Sequence, residues 1–241
     1  MAADITKKDM SAAMDYIFEP APQSFIPVKG SDQKFPVRRI YCVGRNYAEH
    51  AREMGHDPDR DPPFFFQKNP NNILLGNSDF PYPDKTSDVH HEIELVVTLK
   101  KGGKNISLSD AKTCIFGYAV GIDMTRRDLQ GEMKKLGRPW EIGKAFEHSA
   151  PCTDLVPVET SGFIEKGEIW LDVNGERKQS GDVNQMIWNI EETISYLSGL
   201  FELAAGDIIM TGTPAGVGQV NKGDEMRGHV EGVGSITCKV V

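Results

Sequence analysis

The sequence predicts a mixed α+β fold that is rich in β-strands. Runs of strand-forming residues outnumber helical patterns along the 241 residues. The dipeptide Asn174-Gly175 lies between two such runs and predicts an antiparallel hairpin, because both residue types tolerate the positive φ angles of a tight turn. Strands and helices do not alternate regularly, which disfavours a Rossmann or TIM architecture. The chain is long enough to bury a core without disulfides.

The charge and cysteine content exclude several classes of protein. With 27 basic and 35 acidic residues, the formal net charge of −8 would repel a nucleic-acid backbone. The four cysteines match neither a zinc knuckle nor a Cys-x-x-Cys pair, so we expect buried thiols in a reducing compartment. No signal-peptide segment or membrane-spanning run is present. We therefore predict a cytoplasmic protein that binds neither nucleic acid nor membrane.

The N-terminal part begins with a segment of irregular composition. Residues 1–35 mix proline, glycine, serine and charged side chains, with a helical pattern only over 9–18, and we expect an extension or arm. Residues 39–43 are rich in strand formers and predict a strand. Residues 46–54 predict a short helix, and the polar, proline-rich stretch 56–63 predicts a loop that can move.

The middle of the chain combines strand-like runs with helix starts. Residues 91–100 and 114–124 are apolar enough to predict two strands. Ser107 and Thr125 each open a segment with the spacing of a capping box, which predicts a helix after each of them. The second helix should end at Gly137, because glycine is favoured just after a helix.

The C-terminal part contains the hairpin, a further helix and two closing strands. Residues 168–173 and 176–179 are the two arms of the hairpin. A helix over 189–200 is predicted because its first residue is an asparagine with a glutamate three positions later. Residues 207–211 and 235–241 predict strands.

Two glutamates on one predicted strand form the first candidate site. Side chains two residues apart share a face of a strand that rises about 3.3 Å per residue, so one cation can bridge Glu92 and Glu94. Asp123, at the end of the next strand, would add a third carboxylate. Three oxygen ligands favour Mg²⁺ or Mn²⁺ over Zn²⁺. A solvated acidic strand edge and an ordinary turn aspartate are the alternatives.

A histidine and a glutamate on the predicted helix form the second candidate site. His50 and Glu53 are three residues apart, so a helix places them on one face, where the carboxylate can orient the imidazole and raise its basicity. Such a pair can activate water, although similar pairs occur on solvated helices. The neighbouring loop 56–63, which could act as a lid, favours the catalytic interpretation.

Three further features are also candidates. Lys144 lies between small and apolar residues and could supply a cation in a pocket, with a surface lysine as the alternative. Gln130 falls one turn into the helix predicted after Thr125. The glycine-rich loop 211–218 can present hydroxyls and amides to an anion, but it matches neither phosphate-binding glycine motif and could be a plain turn.

Taken together, these motifs resemble the fumarylacetoacetate hydrolase family. The likeness runs in order from about residue 35 to 241. Its motifs are Tyr41-Cys-Val-Gly-Arg-Asn-Tyr47 with His50 and Glu53, His91-Glu-Ile-Glu94, Gly121-Ile-Asp-Met-Thr125, Gly143-Lys-Ala-Phe146 and Thr211-Gly-Thr-Pro214. The resemblance implies a β-roll catalytic domain over residues 36–241 with short peripheral helices, and a homodimer.

The resemblance also implies a role for each candidate residue. The ligands of Mg²⁺ or Mn²⁺ would be Glu92, Glu94 and Asp123. His50 and Glu53 would activate water. Lys144 would stabilise negative charge. The residues that contact the substrate would include Gln130, Thr213 and Arg45.

The implied reaction is metal-dependent hydrolysis of a carbon–carbon bond in a 2,4-diketo acid, such as fumarylpyruvate to fumarate and pyruvate in gentisate breakdown. The keto acid would chelate the metal while His50 takes a proton from water. Decarboxylation of oxaloacetate or isomerisation of a related keto acid could use the same site. A non-catalytic module that binds keto acids is a further alternative, but it would not need His50 and Glu53.

Overall fold

The computed structural model describes residues 16–53 and 61–241. Most of the helical pattern at residues 9–18 and of the loop predicted at 56–63 lies outside the described residues. The α-helices are α1 (Ala48–Glu53), α2 (Leu108–Cys114), α3 (Arg127–Leu136), α4 (Glu141–Lys144), α5 (Val158–Ser161) and α6 (Ile190–Leu200). In the described ranges, no helix is long and apolar enough to span a membrane.

Strands dominate the fold, as the sequence predicted. They are β1 (Phe25–Pro27), β2 (Lys34–Pro36), β3 (Arg39–Gly44), β4 (Phe64–Lys68), β5 (Ile73–Leu75), β6 (Val89–His91), β7 (Ile93–Leu99), β8 (Ile115–Ile122), β9 (Thr125–Arg126), β10 (Ala150–Cys152), β11 (Val156–Pro157), β12 (Glu168–Val173), β13 (Glu176–Asp182), β14 (Asp207–Met210), β15 (Gly218–Val220), β16 (Glu225–Val230) and β17 (Gly234–Lys239). The prediction of a strand-rich mixed α+β fold with short helices is confirmed.

The strands of the described ranges form four sheets. The largest, with eight strands, has the order β4-β3-β14-β7-β8-β10-β5, and β11 also pairs with β8. A four-stranded sheet has the order β13-β12-β16-β17, a three-stranded sheet the order β15-β6-β9, and β1 pairs with β2. The buried strands β7 and β8 occupy the middle of the largest sheet, which explains why both read as continuous apolar runs.

Hydrophobic side chains cover both faces of the eight-stranded sheet. The buried hydrophobic residues form two clusters in the described part of the chain. Along β3, Tyr41 belongs to the first cluster and Cys42 to the second, because successive side chains of a strand point to opposite faces. The four-stranded sheet and α6 contribute to the first cluster. Ile26 of β1 and Phe35 of β2 contribute to the second. Part of the segment 1–35 therefore packs into the core, and the domain boundary near residue 35 stays a prediction.

The predicted strand at residues 91–100 is two strands that separate at Glu92. β6 pairs with β9 and β15, whereas β7 pairs with β8 and β14 in a different sheet. The predicted strand is confirmed over 93–99, but its continuity through Glu92 is not, because an apolar run does not reveal where a chain passes between sheets. At the break, the Ile93 amide donates to the side-chain oxygen of Gln179 at 3.0 Å.

Most local turn and capping signals are confirmed. The Ser107 hydroxyl accepts the amide hydrogen three residues later at 3.2 Å, and Asn189 forms a reciprocal capping box at the start of α6. Gly137 ends α3 with a φ of 62°. Asn174 and Gly175 turn the hairpin with φ angles of 53° and 79°.

Thr125 does not cap a helix, contrary to the prediction. It lies in β9, and α3 begins at Arg127 after Arg126, whose side chain makes no capping hydrogen bond. The Thr125 hydroxyl instead accepts a hydrogen bond from Lys144 Nζ at 2.7 Å. The strand predicted at 114–124 begins one residue later, because Cys114 is the last residue of α2.

Candidate metal centre and active site

Three carboxylates converge where β7 and β8 run side by side. Glu92 lies at the break before β7, Glu94 lies within β7, and Asp123 directly follows β8. The two strands are antiparallel neighbours, so the Asp123 amide reaches the Glu92 carbonyl oxygen at 2.8 Å. One oxygen from each carboxylate lies within 4.8 Å of the other two, and all three residues are buried. We call these three residues the carboxylate cluster.

Three basic side chains contact the carboxylate cluster in the described part of the chain. Lys144 Nζ donates to Glu92 Oε2 at 2.9 Å and to Asp123 Oδ2 at 2.6 Å. Lys68 Nζ lies 2.9 Å from Asp123 Oδ1, and Arg127 donates to Glu92. When every group is ionised, the three positive and three negative charges cancel.

The basic groups are unevenly shared among the carboxylates. Burial alone would raise the pKa of Glu92, but the charges of Lys144 and Arg127 outweigh it and hold the pKa below its usual range. Glu94 forms no ion pair with any described residue. Burial and the charges of Asp123 and Glu92 raise the pKa of Glu94 well above its usual range. Glu94 is therefore the carboxylate whose ionised form most needs a further cation.

The donor set of the cluster fits a hard divalent cation. Mg²⁺ and Mn²⁺ prefer carboxylate oxygens, and three protein ligands leave positions for water or substrate. Asp123 Oδ1 is buried and accepts no hydrogen bond of good geometry, although the Lys68 ammonium lies 2.9 Å away. An oxygen of this kind, beside the unpaired Glu94, has lone pairs free for a metal ion.

The structure brings His50 and Glu53 together on α1. His50 Nδ1 lies 3.2 Å from Glu53 Oε2, and the ring is buried. Glu53 also accepts the amide hydrogen of Gly216 at 3.1 Å, so the loop after β14 helps to fix its position. Because Nδ1 is engaged, Nε2 is the ring nitrogen left to accept a proton.

One narrow cavity joins the histidine to the carboxylate cluster. The predicted site residues that line it are Arg45, His50, Glu92, Glu94, Gln130, Lys144 and Thr213. The aromatic side chains in its wall are Phe64, Phe66 and Trp140. Asp123 and Glu53 are not part of this lining, but Asp123 contacts Lys144 and Glu53 contacts His50. The structure thus brings together all nine residues that the sequence singled out.

Backbone geometry and packing hold Arg45 and Gln130 at the cavity. Arg45 has a φ of 55°, and its guanidinium lies 5.2 Å from the centre of the Phe64 ring. Burial lowers the pKa of Arg45. The Gln130 side-chain oxygen accepts a hydrogen bond from Arg127 at 2.7 Å. A Cβ on Gly143 would lie 2.9 Å from the Gln130 backbone nitrogen, so glycine lets α4 approach α3.

The loop after β14 supports the site with backbone amides. The Gly212 amide donates to Glu94 Oε2 at 2.8 Å. Gly212 has a φ of 96°, and a Cβ there would lie 2.7 Å from the Cβ of Asn46, so only glycine fits. The sequence predicted a loop that presents amides and hydroxyls to an anion, and the amides of Gly212 and Gly216 hold carboxylates of the protein itself.

Three residues of the site were not singled out from the sequence. Lys68 ends the aromatic strand β4, where a buried charge is expensive unless it is paired, and that position was a usable signal. Arg127 was interpreted only as part of a capping motif. Gln179 lies on a hairpin arm and is fully buried, and nothing in the local sequence indicates its contacts.

Oxygen ligands beside a histidine that can accept a proton are the parts that a metal-dependent hydrolase requires. The fold and the site therefore define an enzyme of this class.

Residues 39–241 match the family model described as fumarylacetoacetate hydrolase, C-terminal. A fumarylpyruvate hydrolase from Ralstonia sp. is 43% identical over 189 residues, which cover 78% of this chain and 98% of the relative. A mitochondrial oxaloacetate tautomerase from Bos taurus is 41% identical over 203 residues, covering 84% and 91%. A fumarylpyruvate hydrolase from Pseudomonas aeruginosa, solved with Mn²⁺ and pyruvate, has a TM-score of 0.93, 50% identity and coverage of 94% and 99%.

The chain belongs to the fumarylacetoacetate hydrolase family. Membership of this family confirms the expectation of a hydrolase that acts on carbon–carbon bonds. The expectation of a divalent metal is also confirmed.

Proposed function

We propose that the protein hydrolyses a carbon–carbon bond of a 2,4-diketo acid, with fumarylpyruvate as the favoured substrate and fumarate and pyruvate as products, in gentisate breakdown. The observation that carries the proposal is that one cavity is lined by two residues of the carboxylate cluster, Glu92 and Glu94, together with His50 and Lys144. Two fumarylpyruvate hydrolases among the relatives support the choice of substrate, and one of them holds pyruvate and Mn²⁺.

In this proposal, Glu92, Glu94 and Asp123 are the ligands of Mg²⁺ or Mn²⁺. When bound, the ion would polarise the 2-oxo group and stabilise the negative charge that develops as the bond breaks. The remaining roles belong to side chains of the chain itself.

His50 is the general base. Glu53 holds Nδ1, so Nε2 takes a proton from water as the water oxygen bonds to the distal carbonyl carbon. The bond between that carbon and the methylene carbon then breaks, and its electron pair passes to the pyruvate fragment as an enolate. Lys144, within hydrogen-bond distance of two carboxylates in the cluster, supplies positive charge at the place where the enolate forms. A proton returned to the enolate carbon completes pyruvate.

The charge of the cavity favours a substrate with two negative charges. The charges of the carboxylate cluster and its three basic partners cancel, so a divalent ion adds two uncompensated positive charges. Arg45 and Lys134 also line the cavity and add to the positive potential. Fumarylpyruvate carries two carboxylates and matches this excess.

The test is an absorbance assay with fumarylpyruvate and shorter acylpyruvates, with Mg²⁺ or with a chelator. We expect turnover with Mg²⁺ only, and loss of at least about a hundredfold for His50→Ala, the usual contribution of a general base. His229→Ala, outside the cavity, is the matched control and should keep full activity. Intact diketo acids in the presence of metal would refute the proposal.

Isomerisation of oxaloacetate is the second candidate, and the tautomerase relative supports it. This reaction moves a proton and needs no attacking water, and decarboxylation of oxaloacetate also proceeds without one. We expect His50→Ala to abolish hydrolysis of diketo acids, while a residual reaction with oxaloacetate would indicate one of these alternatives. Keto-acid binding with no turnover of any of these compounds would indicate a binding module.

We extend the proposal to a cytoplasmic homodimer. The family resemblance supports the dimer, and the four free, buried cysteines support a reducing compartment. Light scattering of the purified protein should give the mass of two chains, and the mass of one chain would refute the dimer.

A further inference from the structure

Gln179 lies on β13 of the hairpin and is fully buried beside the active site. Both the oxygen and the nitrogen of its side-chain amide form hydrogen bonds. Its oxygen lies 2.9 Å from His91 Nδ1 and 3.0 Å from the amide nitrogen of Ile93. Its nitrogen donates to Thr213 Oγ1 at 2.7 Å and to the Pro214 carbonyl oxygen at 2.8 Å. All the hydrogen-bonding capacity of the amide is therefore engaged.

The orientation of this amide is fixed by backbone groups that cannot exchange roles. The Ile93 N–H can only donate, so it must face the Gln179 oxygen. The Pro214 carbonyl can only accept, so it must face the Gln179 nitrogen. A flipped amide would place its NH2 group against the Ile93 N–H and its oxygen against the Pro214 carbonyl oxygen, leaving both of these buried backbone groups unsatisfied.

This orientation sets the direction of the Thr213 hydroxyl. Thr213 Oγ1 accepts a hydrogen bond from Gln179, so its own hydrogen is free to be donated elsewhere. Within the described residues, that hydrogen has no acceptor, and Thr213 lines the cavity beside Glu92 and Glu94. The hydroxyl is thus available as a donor to an oxygen of a bound ligand.

The oxygen end of the amide contacts the chain on either side of Glu92. Its two partners, His91 and Ile93, flank Glu92, at the place where the chain leaves β6 and enters β7. Gln179 therefore supplies an acceptor for the amide of Ile93, the residue directly after Glu92, where the strand ladder is interrupted.

The loop after β14 packs closely against β13 on both sides of Gln179. This packing limits how far the loop can shift when Gln179 is replaced. A Cβ on Gly216 would lie 1.9 Å from the Lys178 carbonyl oxygen, and one on Gly181 would lie 2.9 Å from the Pro214 side chain. The glycines let the loop and the strand approach closely enough for one glutamine to connect them.

We propose that Gln179 is a positioning residue with two effects: its nitrogen makes the Thr213 hydroxyl a donor to the carboxylate of a bound keto acid, and its oxygen holds Glu92 in place. The identity of the ligand rests on the proposed function, whereas the hold on Glu92 does not.

The first effect is tested by a double-mutant cycle on the Kd of pyruvate for the Mn²⁺-loaded protein, measured by calorimetry. Thr213→Val should weaken binding about tenfold, because a hydrogen bond to a charged group is lost. Gln179→Glu should also weaken it, since Thr213 would then donate to the new carboxylate. In the Thr213→Val background, the increase in the Kd of pyruvate caused by Gln179→Glu should be about tenfold smaller than in the wild type. Equal costs in the two backgrounds would overturn the first effect, and any purely electrostatic cost cancels in this comparison.

The second effect is tested by the Kd of Mn²⁺ without pyruvate. Gln179→Met removes the acceptor oxygen and should weaken Mn²⁺ binding roughly 10- to 100-fold, the usual effect of losing a residue that orients a ligand. Gln179→Glu keeps an oxygen for Ile93 and adds a negative charge near the cation, so it should not weaken Mn²⁺ binding. Equal weakening by both substitutions would overturn the second effect. The pyruvate cycle does not use the methionine variant, so failure of that variant to fold leaves the first test intact.

Gln219→Glu is the matched control, because the exposed Gln219 side chain also donates to a backbone carbonyl, that of Ser87, at 2.7 Å. It should leave both Kd values within about twofold of the wild type, as expected for a surface change.

If the wild-type Mn²⁺-loaded protein does not bind pyruvate, the proposed function and the first effect fail together. The comparison of Mn²⁺ Kd values still decides the second effect.

Discussion

Replacing Lys68 with methionine should destabilise the protein far more without metal than with it. The Lys68 ammonium is buried 2.9 Å from Asp123 Oδ1 and also donates to the Met124 carbonyl oxygen at 3.2 Å. At this distance two unit charges attract by about 6 kcal/mol at an effective dielectric constant of about 20. The measured cost of breaking a buried pair is about 3–5 kcal/mol. Asp123 retains Lys144, so we expect a loss near the lower value, about 3 kcal/mol.

A bound divalent ion changes this result, because it compensates the charge of Asp123 in place of the ammonium. Only lost hydrogen bonds then remain, worth about 1 kcal/mol. By linkage, the difference of about 2 kcal/mol appears as metal binding that is roughly thirtyfold tighter in Lys68→Met than in the wild type.

The assay is urea unfolding of both proteins in EDTA and in excess Mg²⁺, with calorimetric titration of Mg²⁺ as a second readout. Lys104→Met is the control, because Lys104 is exposed and its ion pair with Glu202 spans 3.7 Å, so no measurable change is expected. Equal loss of unfolding free energy in both conditions, or weaker Mg²⁺ binding, would refute the reasoning.

Two further predictions concern the loop after β14 and the thiols. Gly212→Ala should cost about 1–3 kcal/mol of unfolding free energy, because the φ of 96° is strained for alanine and its Cβ meets Asn46. It should also weaken Mn²⁺ binding by displacing the amide that holds Glu94, and thermal melts with and without Mn²⁺ measure both effects; unchanged melting would contradict the prediction. Burial raises the pKa of Cys152 and of Cys238 to about 12, so both thiols stay protonated and should react with Ellman's reagent at pH 8 only after unfolding. Rapid reaction of the folded protein would contradict the stated burial.

Features set by a few neighbouring residues were predictable from the sequence. The hairpin depends on Asn174 and Gly175, and the start of α6 depends on Asn189 and a glutamate three residues later, so short-range patterns suffice. The proximity of the Glu92 and Glu94 carboxylates was also visible from their spacing of two residues, although Glu92 lies at a strand break and not within β7.

Features set by distant contacts were not predictable in this way. The strand break at Glu92 arises because β6 joins a different sheet, and its acceptor, Gln179, lies 86 residues from Ile93. Thr125 has the spacing of a helix cap, but its hydroxyl is used by Lys144, whose position depends on tertiary packing. Lys68 was overlooked because its partner, Asp123, is remote in sequence.

The central claim is that Glu92, Glu94 and Asp123 hold one divalent ion beside His50. Anomalous diffraction from crystals grown with Mn²⁺ tests it most directly. We predict one strong anomalous peak within bonding distance of an oxygen from each of the three carboxylates. A protein whose only Mn²⁺ peaks lie elsewhere, with Lys144 still bonded to Glu92 and Asp123, would contradict the claim.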